Sequence, residues 1–140
     1  MLSGEFNHAI DPKNRLFIPA KHREELGDSF MVAVSLREKC LKVFSHAEWE
    51  NYIAPITRLK RSESEAALRA LHRTALQASP DSQGRIILTP ALIAFAGIEK
   101  NAVIVGCGKY AEIWSEAEYD AHVATEDLDA VRKMLEGYGL

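Results

Sequence analysis

The sequence has 140 residues, 47% of them hydrophobic and 26% charged, which is the composition of a water-soluble globular protein. No apolar run approaches the roughly 20 residues of a membrane helix, and the first residues lack a signal-peptide pattern. We therefore expect a cytoplasmic protein with no membrane partner. The formal net charge of −3 does not by itself indicate a nucleic-acid partner.

The first third of the chain predicts short strands around one tight turn and one helix. Four apolar runs predict strands, at residues 4–10, 16–18, 30–34 and 40–44. Residues 11–15 form a turn between the first two strands. Pro19 suits the first turn of a helix that ends at Gly27, a residue typical of helix C-caps.

A helical stretch joins two similar halves of the chain. Ser45 is followed three residues later by Glu48, which is the capping-box spacing, so a helix begins there and stops or kinks at Pro55. Residues 56–78 carry apolar side chains at helical spacing and predict a long connecting helix. This connector lets the second half fold back beside the first.

The second half repeats the order of the first. Strands are predicted at 85–88, 102–106 and 110–114. One helix is predicted at 91–96 with a stop at Gly97, and another begins at Ser115, with Glu118 at the capping-box position. Residues 127–140 predict a short amphipathic helix with a fraying end.

A constant offset relates the two halves and indicates an internal duplication. The segment DPKNR at 11–15 corresponds to DSQGR at 81–85, 70 positions later. The same offset relates Gly27 to Gly97, Phe44 to Trp114, Glu48 to Glu118 and Trp49 to Tyr119. Each half alone is near the size at which a chain cannot bury enough apolar surface, so we expect one shared core that contains these aromatic residues.

Charge is distributed unevenly along the chain. Residues 11–23 and residues 58–73 each carry a net charge of +3, whereas residues 112–136 carry −6. We therefore expect a basic side and an acidic side. For residues 58–73, a solvated helix face is the alternative to a nucleic-acid contact.

The two signature turns, at residues 11–15 and 81–85, contain the clearest candidate binding residues in the chain. Asp11 and Asp81 suit an aspartate that opens a turn by binding its own backbone. Arg15 and Arg85 follow these aspartates by four residues. Each arginine could bind an anion, or it could form only a salt bridge that stabilises the turn. Guanidinium groups on loops suit phosphates and guanine edges.

The two turns differ in their basic neighbours. Arg15 has Lys13, Lys21 and Arg23 nearby in sequence, whereas Gln83 stands in the second turn where the first has lysine. We therefore expect the first turn to be the stronger anion-binding site.

Catalytic and metal-binding patterns are absent from the sequence. The five histidines lack ligand spacing, and Cys40 and Cys107 lack a Cys-x-x-Cys pattern, so we expect buried thiols and no metal. There is no Gly-rich phosphate loop and no nucleophile beside a base, so we predict no enzyme activity, no cofactor and no small-molecule substrate. An enzyme that used Asp11 or Asp81 as a general base would need a cleft beside a perturbed carboxylate, which the sequence does not show.

With its duplicated signature, the sequence resembles the MraZ family of bacterial transcriptional regulators. The resemblance rests on DPKNRLFIPAKHREELG in the first half and DSQGRIILTPALIAFAGI in the second, with VFSHAEWE and EIWSEAEY closing the two copies. It covers roughly residues 4 to 122. Asn14 stands where the first signature commonly has glycine, and asparagine tolerates the left-handed conformation of such a turn.

The resemblance implies an α+β fold, an internally duplicated SpoVT/AbrB-like swapped-hairpin β-barrel with flanking helices. The two repeats, at 5–47 and 76–119, would share one compact fold. A helical connector at 48–75 would join them, and an acidic C-terminal helix and tail would follow at 120–140.

The resemblance also implies a ring-shaped homo-oligomer that binds double-stranded DNA at short direct repeats in a promoter. The protein would be nucleoid-associated and would regulate, as a repressor, the division and cell-wall gene cluster that includes its own gene. The implied DNA contacts are Arg15, Lys13, Lys21, Arg23 and Arg85. A ring would repeat one weak basic patch at a spacing matched to helical DNA and would gain affinity by multivalency.

An antitoxin-like module of the same fold, whose main partner is a protein, is the alternative. Such antitoxins usually carry a long disordered C-terminal segment that wraps the toxin, whereas this sequence predicts a short helix there. The duplication within one chain also argues against this alternative.

Overall fold

The computed structural model describes all 140 residues and shows an α+β chain. The strands are β1 Glu5–Ala9, β2 Arg15–Phe17, β3 Phe30–Val34, β4 Leu41–Phe44, β5 Leu76–Ala78, β6 Arg85–Ile87, β7 Asn101–Gly106 and β8 Ala111–Ser115. The helices are α1 Ala20–Leu26, α2 His46–Ile53, α3 Arg61–His72, α4 Pro90–Ala96, α5 Glu116–His122 and α6 Leu128–Glu136, with a 3₁₀ helix at Ala54–Arg58. All of these helices are too short or too polar to cross a membrane.

Local sequence signals fix the helix ends as predicted. The hydroxyl of Ser45 accepts a hydrogen bond from the backbone N–H of Glu48 at 3.2 Å, and Ser115 does the same for Glu118 at 3.1 Å. Gly97 ends α4 in the left-handed conformation that glycine adopts without strain. These predicted caps are confirmed.

The strands pair across the two repeats. The main sheet has six strands in the order β1-β7-β8-β4-β3-β5, so that the first strand of each repeat pairs with a strand of the other repeat. At its centre β4 pairs with β8, and Lys42 lies opposite Glu112, its counterpart at the offset of 70. Neither repeat therefore completes its own sheet.

The remaining strands, β2 and β6, form a separate two-stranded ribbon. The sheet edges β1 and β5 lie at opposite ends of the strand order and do not pair with each other. The predicted closed barrel is thus not seen, because the hydrogen bonding leaves an open sheet with the ribbon beside it.

One core lies between the main sheet and the ribbon, and residues from both repeats form it. Leu16 and Ile86 of the ribbon and Leu41 and Ile113 of the central strands are all at most 1% exposed. On the other face of the sheet, one small cluster lies under α2 and α3 and another beside α5. The predicted core residues Phe44, Trp49, Trp114 and Tyr119 are buried in these two clusters.

The predictions for residues 56–78 and for Cys107 were wrong. The long helix predicted at 56–78 is instead the 3₁₀ helix, α3 and strand β5. Leu76–Ala78 forms a strand because it pairs with β3, and this tertiary pairing overrides local helical preference. Cys40 is buried as predicted, but Cys107 is exposed, since it follows Gly106 at the end of β7 where the chain turns.

Candidate nucleic-acid interface

The first signature forms a tight turn that its aspartate holds closed. The Oδ1 atom of Asp11 accepts hydrogen bonds from the backbone N–H groups of Lys13 at 2.9 Å and Arg15 at 2.8 Å. Its Oδ2 atom accepts a hydrogen bond from Nε of Arg15 at 2.5 Å. Asn14 adopts a φ of 61°, which asparagine tolerates better than most residues do. One carboxylate therefore closes the turn and orients the arginine.

The second turn has the same network. The Oδ1 atom of Asp81 accepts hydrogen bonds from the backbone N–H groups of Gln83 and Arg85, both at 2.9 Å. Its Oδ2 atom accepts one from Nε of Arg85 at 3.0 Å. Gly84, with a φ of 78°, takes the position of Asn14. Corresponding atoms therefore make the same hydrogen bonds in both turns.

Backbone hydrogen bonds tie the two turns to each other. The N–H of Ile18 donates to the carbonyl of Gly84, and the N–H of Leu88 donates to the carbonyl of Asn14, each at 2.9 Å. These two hydrogen bonds are counterparts of each other, with the donor in one repeat and the acceptor in the other. The two turns and the ribbon β2–β6 therefore form a single surface.

Alternation along the ribbon places both signature arginines on its outer face. Leu16 and Ile86 are buried in the core, so their neighbours along each strand point outward. The register sets Arg15 opposite Ile87, and Arg85 lies on the same face as both. This outer face, defined by Arg15, Arg85 and Ile87, is called the ribbon face below.

The terminal NH₂ groups of both arginines make no hydrogen bond within the chain. Arg15 and Arg85 form side-chain hydrogen bonds through Nε alone. Their side chains are 29% and 27% exposed, respectively. Each guanidinium is thus held in place at one edge and open at the other. Such an edge can donate two parallel hydrogen bonds to a phosphate or to guanine.

The pKa of each signature aspartate is lowered. For Asp11, desolvation pulls the pKa upward, but hydrogen bonds from the backbone and guanidinium of Arg15 and the backbone of Lys13 together outweigh it. For Asp81 the largest cause is the hydrogen bond from the backbone N–H of Arg85. A lowered pKa makes a carboxylate a weaker base, so the general-base alternative loses its chemical support.

Arg23 contacts the second turn. The sequence groups it with Arg15, but its guanidinium lies against Gly84, where a Cβ atom would be only 2.7 Å from Cζ. Its Nε atom donates to the carbonyl of Ile18 at 2.9 Å, and its Cζ lies 5.5 Å from the ring centre of Phe17. Arg23 thus links helix α1 of the first repeat to the turn of the second.

The two predicted lysine contacts differ from Arg23 in being exposed. Lys13 lies in the first turn and Lys21 in the first turn of α1, and neither forms a salt bridge. Ammonium groups in such positions can reach phosphates beside a groove-binding element. They add positive charge to the first-repeat side of the ribbon face.

The second basic stretch of the sequence lies elsewhere. Its five cations are all exposed and belong to the 3₁₀ helix, α3 and their flanks: Arg58, Lys60, Arg61, Arg69 and Arg73. Helix α3 packs through Leu71 on the sheet face opposite the ribbon. Arg61 forms an exposed ion pair with Glu65 at 3.1 Å. The two basic stretches therefore form two surfaces and not one basic side.

Ile87 was not predicted as a site residue. It is 64% exposed on the ribbon face, where the register places it directly opposite Arg15. The alternation Arg85-Ile86-Ile87 is the signal that could have found it, because period-two spacing puts Ile87 on the same side as Arg85. No group of three or more His, Cys, Asp or Glu side chains comes together as a metal site.

One protein-family model matches the chain twice. Its description is "MraZ protein, putative antitoxin-like", and the matches cover residues 1–73 and 71–135. The chain belongs to the MraZ family. Each match contains one signature turn, so the family resemblance drawn from those turns is confirmed.

Similar proteins from several bacteria carry the same family name. A protein of Alkaliphilus oremlandii (strain OhILAs) is 38% identical over 131 residues, which cover 91% of this chain and 90% of the relative. A Desulforamulus reducens protein is 39% identical over 126 residues, covering 89% and 88%. A Leuconostoc mesenteroides protein is 35% identical over 144 positions that span both chains completely. Each is named "Transcriptional regulator MraZ".

Proposed function

We propose that this chain is a transcriptional regulator that binds double-stranded DNA through the ribbon face. One observation carries the proposal: Arg15 and Arg85 lie on one exposed ribbon, each fixed by an aspartate and each with its terminal NH₂ groups unused. The names of the MraZ relatives support a role in transcription.

The ribbon has the shape and chemistry for sequence-specific contact. A two-stranded antiparallel ribbon fits the major groove of B-form DNA, where arginine pairs with guanine. Ile87 adds an apolar group that suits contact with a thymine methyl. Lys13 and Lys21 would contact phosphates on either side and fix the register. The ribbon thus combines groups that read bases with groups that hold the backbone.

One ribbon face offers few contacts, so we propose that several copies act together. A ring-shaped homo-oligomer that engages short direct repeats would multiply a weak contact into strong binding. In this proposal the protein acts as a repressor of the division and cell-wall gene cluster, including its own gene, and resides with the nucleoid. These assignments are what the resemblance to the MraZ family implies.

Fluorescence anisotropy tests the proposal directly. A labelled duplex with the direct repeats from upstream of the protein's own gene is compared with a shuffled duplex, at two salt concentrations. Binding is expected to favour the repeats and to weaken steeply with salt, because phosphate contacts release counterions. Arg15→Ala is expected to abolish the preference.

Arg61→Ala is the matched control, because Arg61 is an exposed arginine on α3, on the sheet face opposite the ribbon. It is expected to bind as the wild type does. Loss of binding in Arg61→Ala with retention in Arg15→Ala would move the interface to α3. Equal weak binding to both duplexes would favour an antitoxin-like protein that binds another protein.

A further inference from the structure

Helix α6 carries an apolar stripe that the chain does not bury. Four apolar side chains follow one side of the helix at helical spacing, namely Leu128, Val131, Met134 and Leu135, and Tyr138 follows just after its end. No residue of α6 is buried, and Leu128 and Met134 are 67% and 57% exposed. A nine-residue helix has little stability in water without packing along one face. The stripe therefore indicates a partner surface that lies outside this copy of the chain.

The first repeat contains an open groove of suitable character. It has a volume of about 340 Å³ and is lined by Leu36, Arg37, Lys42, Tyr52, Ile56 and Leu71. Leu36 is 66% exposed at its edge. Apolar side chains form most of the lining, and the cations of Arg37 and Lys42 lie among them. Such a groove fits an amphipathic helix with acidic flanks.

The second repeat has no equivalent groove for its own helix. At the offset of 70, the counterparts of five lining residues are Gly106, Cys107, Glu112, His122 and Glu126. These residues replace the apolar groups with small or polar ones, and they replace Lys42 with a carboxylate. The stripe of α6 thus matches the first repeat and not the repeat to which it is attached.

The charges near α6 and in the groove are also complementary. Helix α6 itself has no net charge, but Glu126 and Asp127 precede it directly and make its N-terminal end acidic. The groove carries the cations of Arg37 and Lys42. Asp127 and Asp129 lie at the start of α6, next to Leu128. Opposite charges around an apolar contact guide association and select the orientation.

We infer that α6 of one copy docks in the first-repeat groove of a second copy. The inference deepens the proposed self-association by naming the two surfaces that meet. Each copy then gives one helix and receives one, which is a head-to-tail contact that generates a ring when its rotation closes. Docking buries the stripe of one copy and the groove of the next.

Two variants test the two sides of this contact, the groove and the helix, one at a time. Leu36→Asp places a carboxylate in the groove and leaves α6 intact, whereas Leu128→Asp does the reverse. Both side chains are exposed, so both variants are expected to fold, which circular dichroism checks. The matched controls are Leu59→Asp, an exposed leucine that does not line the groove, and Ala130→Asp, which adds the same charge to α6 outside its stripe.

Sedimentation velocity over a range of concentrations provides the readout. The wild type and both controls are expected to sediment as oligomers, and each variant alone as the 15.6 kDa monomer. An equal mixture of the two variants is expected to form a species of two chains and nothing larger. In that mixture the helix of Leu36→Asp meets the groove of Leu128→Asp, and no further contact is available.

Four results would overturn the inference. If Leu36→Asp alone stays oligomeric while Leu128→Asp dissociates, α6 binds a surface other than the groove. If the mixture stays monomeric, the helix and the groove do not bind each other. If both variants form wild-type oligomers, self-association uses other surfaces, and the proposed ring stands without this contact. A wild type that is monomeric throughout would remove both the contact and the ring.

Discussion

The guanidinium group of Arg23, on helix α1 of the first repeat, lies against Gly84 in the turn of the second repeat. A Cβ atom at position 84 would lie 2.7 to 2.9 Å from three guanidinium atoms, so the end of the Arg23 side chain would have to move to admit it. The backbone at Gly84 also has a φ of 78°, a conformation that favours glycine. A cation of one repeat thus packs on the signature turn of the other.

Gly84→Ala is expected to lower the free energy of unfolding by at least about 1 to 2 kcal/mol, the cost of a left-handed conformation for a residue with a Cβ. Displacement of Arg23 adds to this cost. Urea unfolding measures the change. Gly108→Ala is the control, because Gly108 has a φ of 90° and no atom within 4 Å of an added Cβ. Equal losses in both variants would show that the Arg23 contact contributes nothing.

Asp11 is expected to make stability depend on pH under acidic conditions. Its pKa in the folded protein is lowered from 3.8, so the ionised carboxylate favours the folded state. This contribution is fully present above pH 3.8 and is lost as the pH falls through the lowered pKa. The measurement is the free energy of unfolding from about pH 6 to about pH 2.

In that range Asp11→Asn is expected to flatten the pH dependence, and Asp11→Asn with Asp81→Asn to flatten it further, because the pKa of Asp81 is lowered as well. Both variants should also be less stable than the wild type at neutral pH, where the ionised carboxylate is missing. Curves parallel to that of the wild type would contradict the proposed role of these hydrogen bonds.

Arg15→Ala is expected to lose more DNA affinity than Arg85→Ala. Lys13 extends from the first turn and is exposed, whereas Gln83 occupies that position in the second turn. A lost arginine–guanine pair costs about 1 to 3 kcal/mol, which is roughly a 5- to 150-fold loss of affinity per site. Anisotropy titrations at one salt concentration compare the two variants. Equal losses would show that the two turns contribute equally.

Leu71→Ala is expected to destabilise the fold by about 2 to 5 kcal/mol, the usual cost of truncating a buried leucine. Leu71 is 2% exposed and packs with Ala33 and Phe44, so it anchors α3 to the sheet. Leu59→Ala, at an exposed leucine before α3, should change stability by less than about 0.5 kcal/mol. Thermal unfolding of both variants tests whether α3 is part of the core. Similar unfolding midpoints in the two variants would show that α3 is not part of the core.

The local signals in the sequence predicted much of this structure. Ser45 and Ser115 cap helices because their hydroxyls bind an N–H three residues later, a pattern contained in four residues of sequence. The left-handed conformation of Asn14 agrees with the expectation drawn from the family signature, which commonly has glycine at that position. Features that depend on a few neighbouring residues were therefore accessible without coordinates.

Features that depend on contacts between distant residues could not be predicted from local sequence. Leu76–Ala78 has helix-forming residues, and only its pairing with β3 makes it a strand. The offset of 70 from β1 was a signal that could have corrected the prediction. The position of Arg23 depends on the exchange of strands between repeats, which brings Gly84 next to α1. No local pattern contains that information.

The exchange of strands between repeats also governs how the chain can fold as it is synthesised. When the first 73 residues have left the ribosome, β3 still lacks its partner β5, and β1 lacks β7. The edge of β3 can pair once residue 78 has emerged, but β1 and β4 stay unpaired until β7 and β8 follow, near residue 115. Completion must then wait for contacts between segments far apart in sequence, which form slowly.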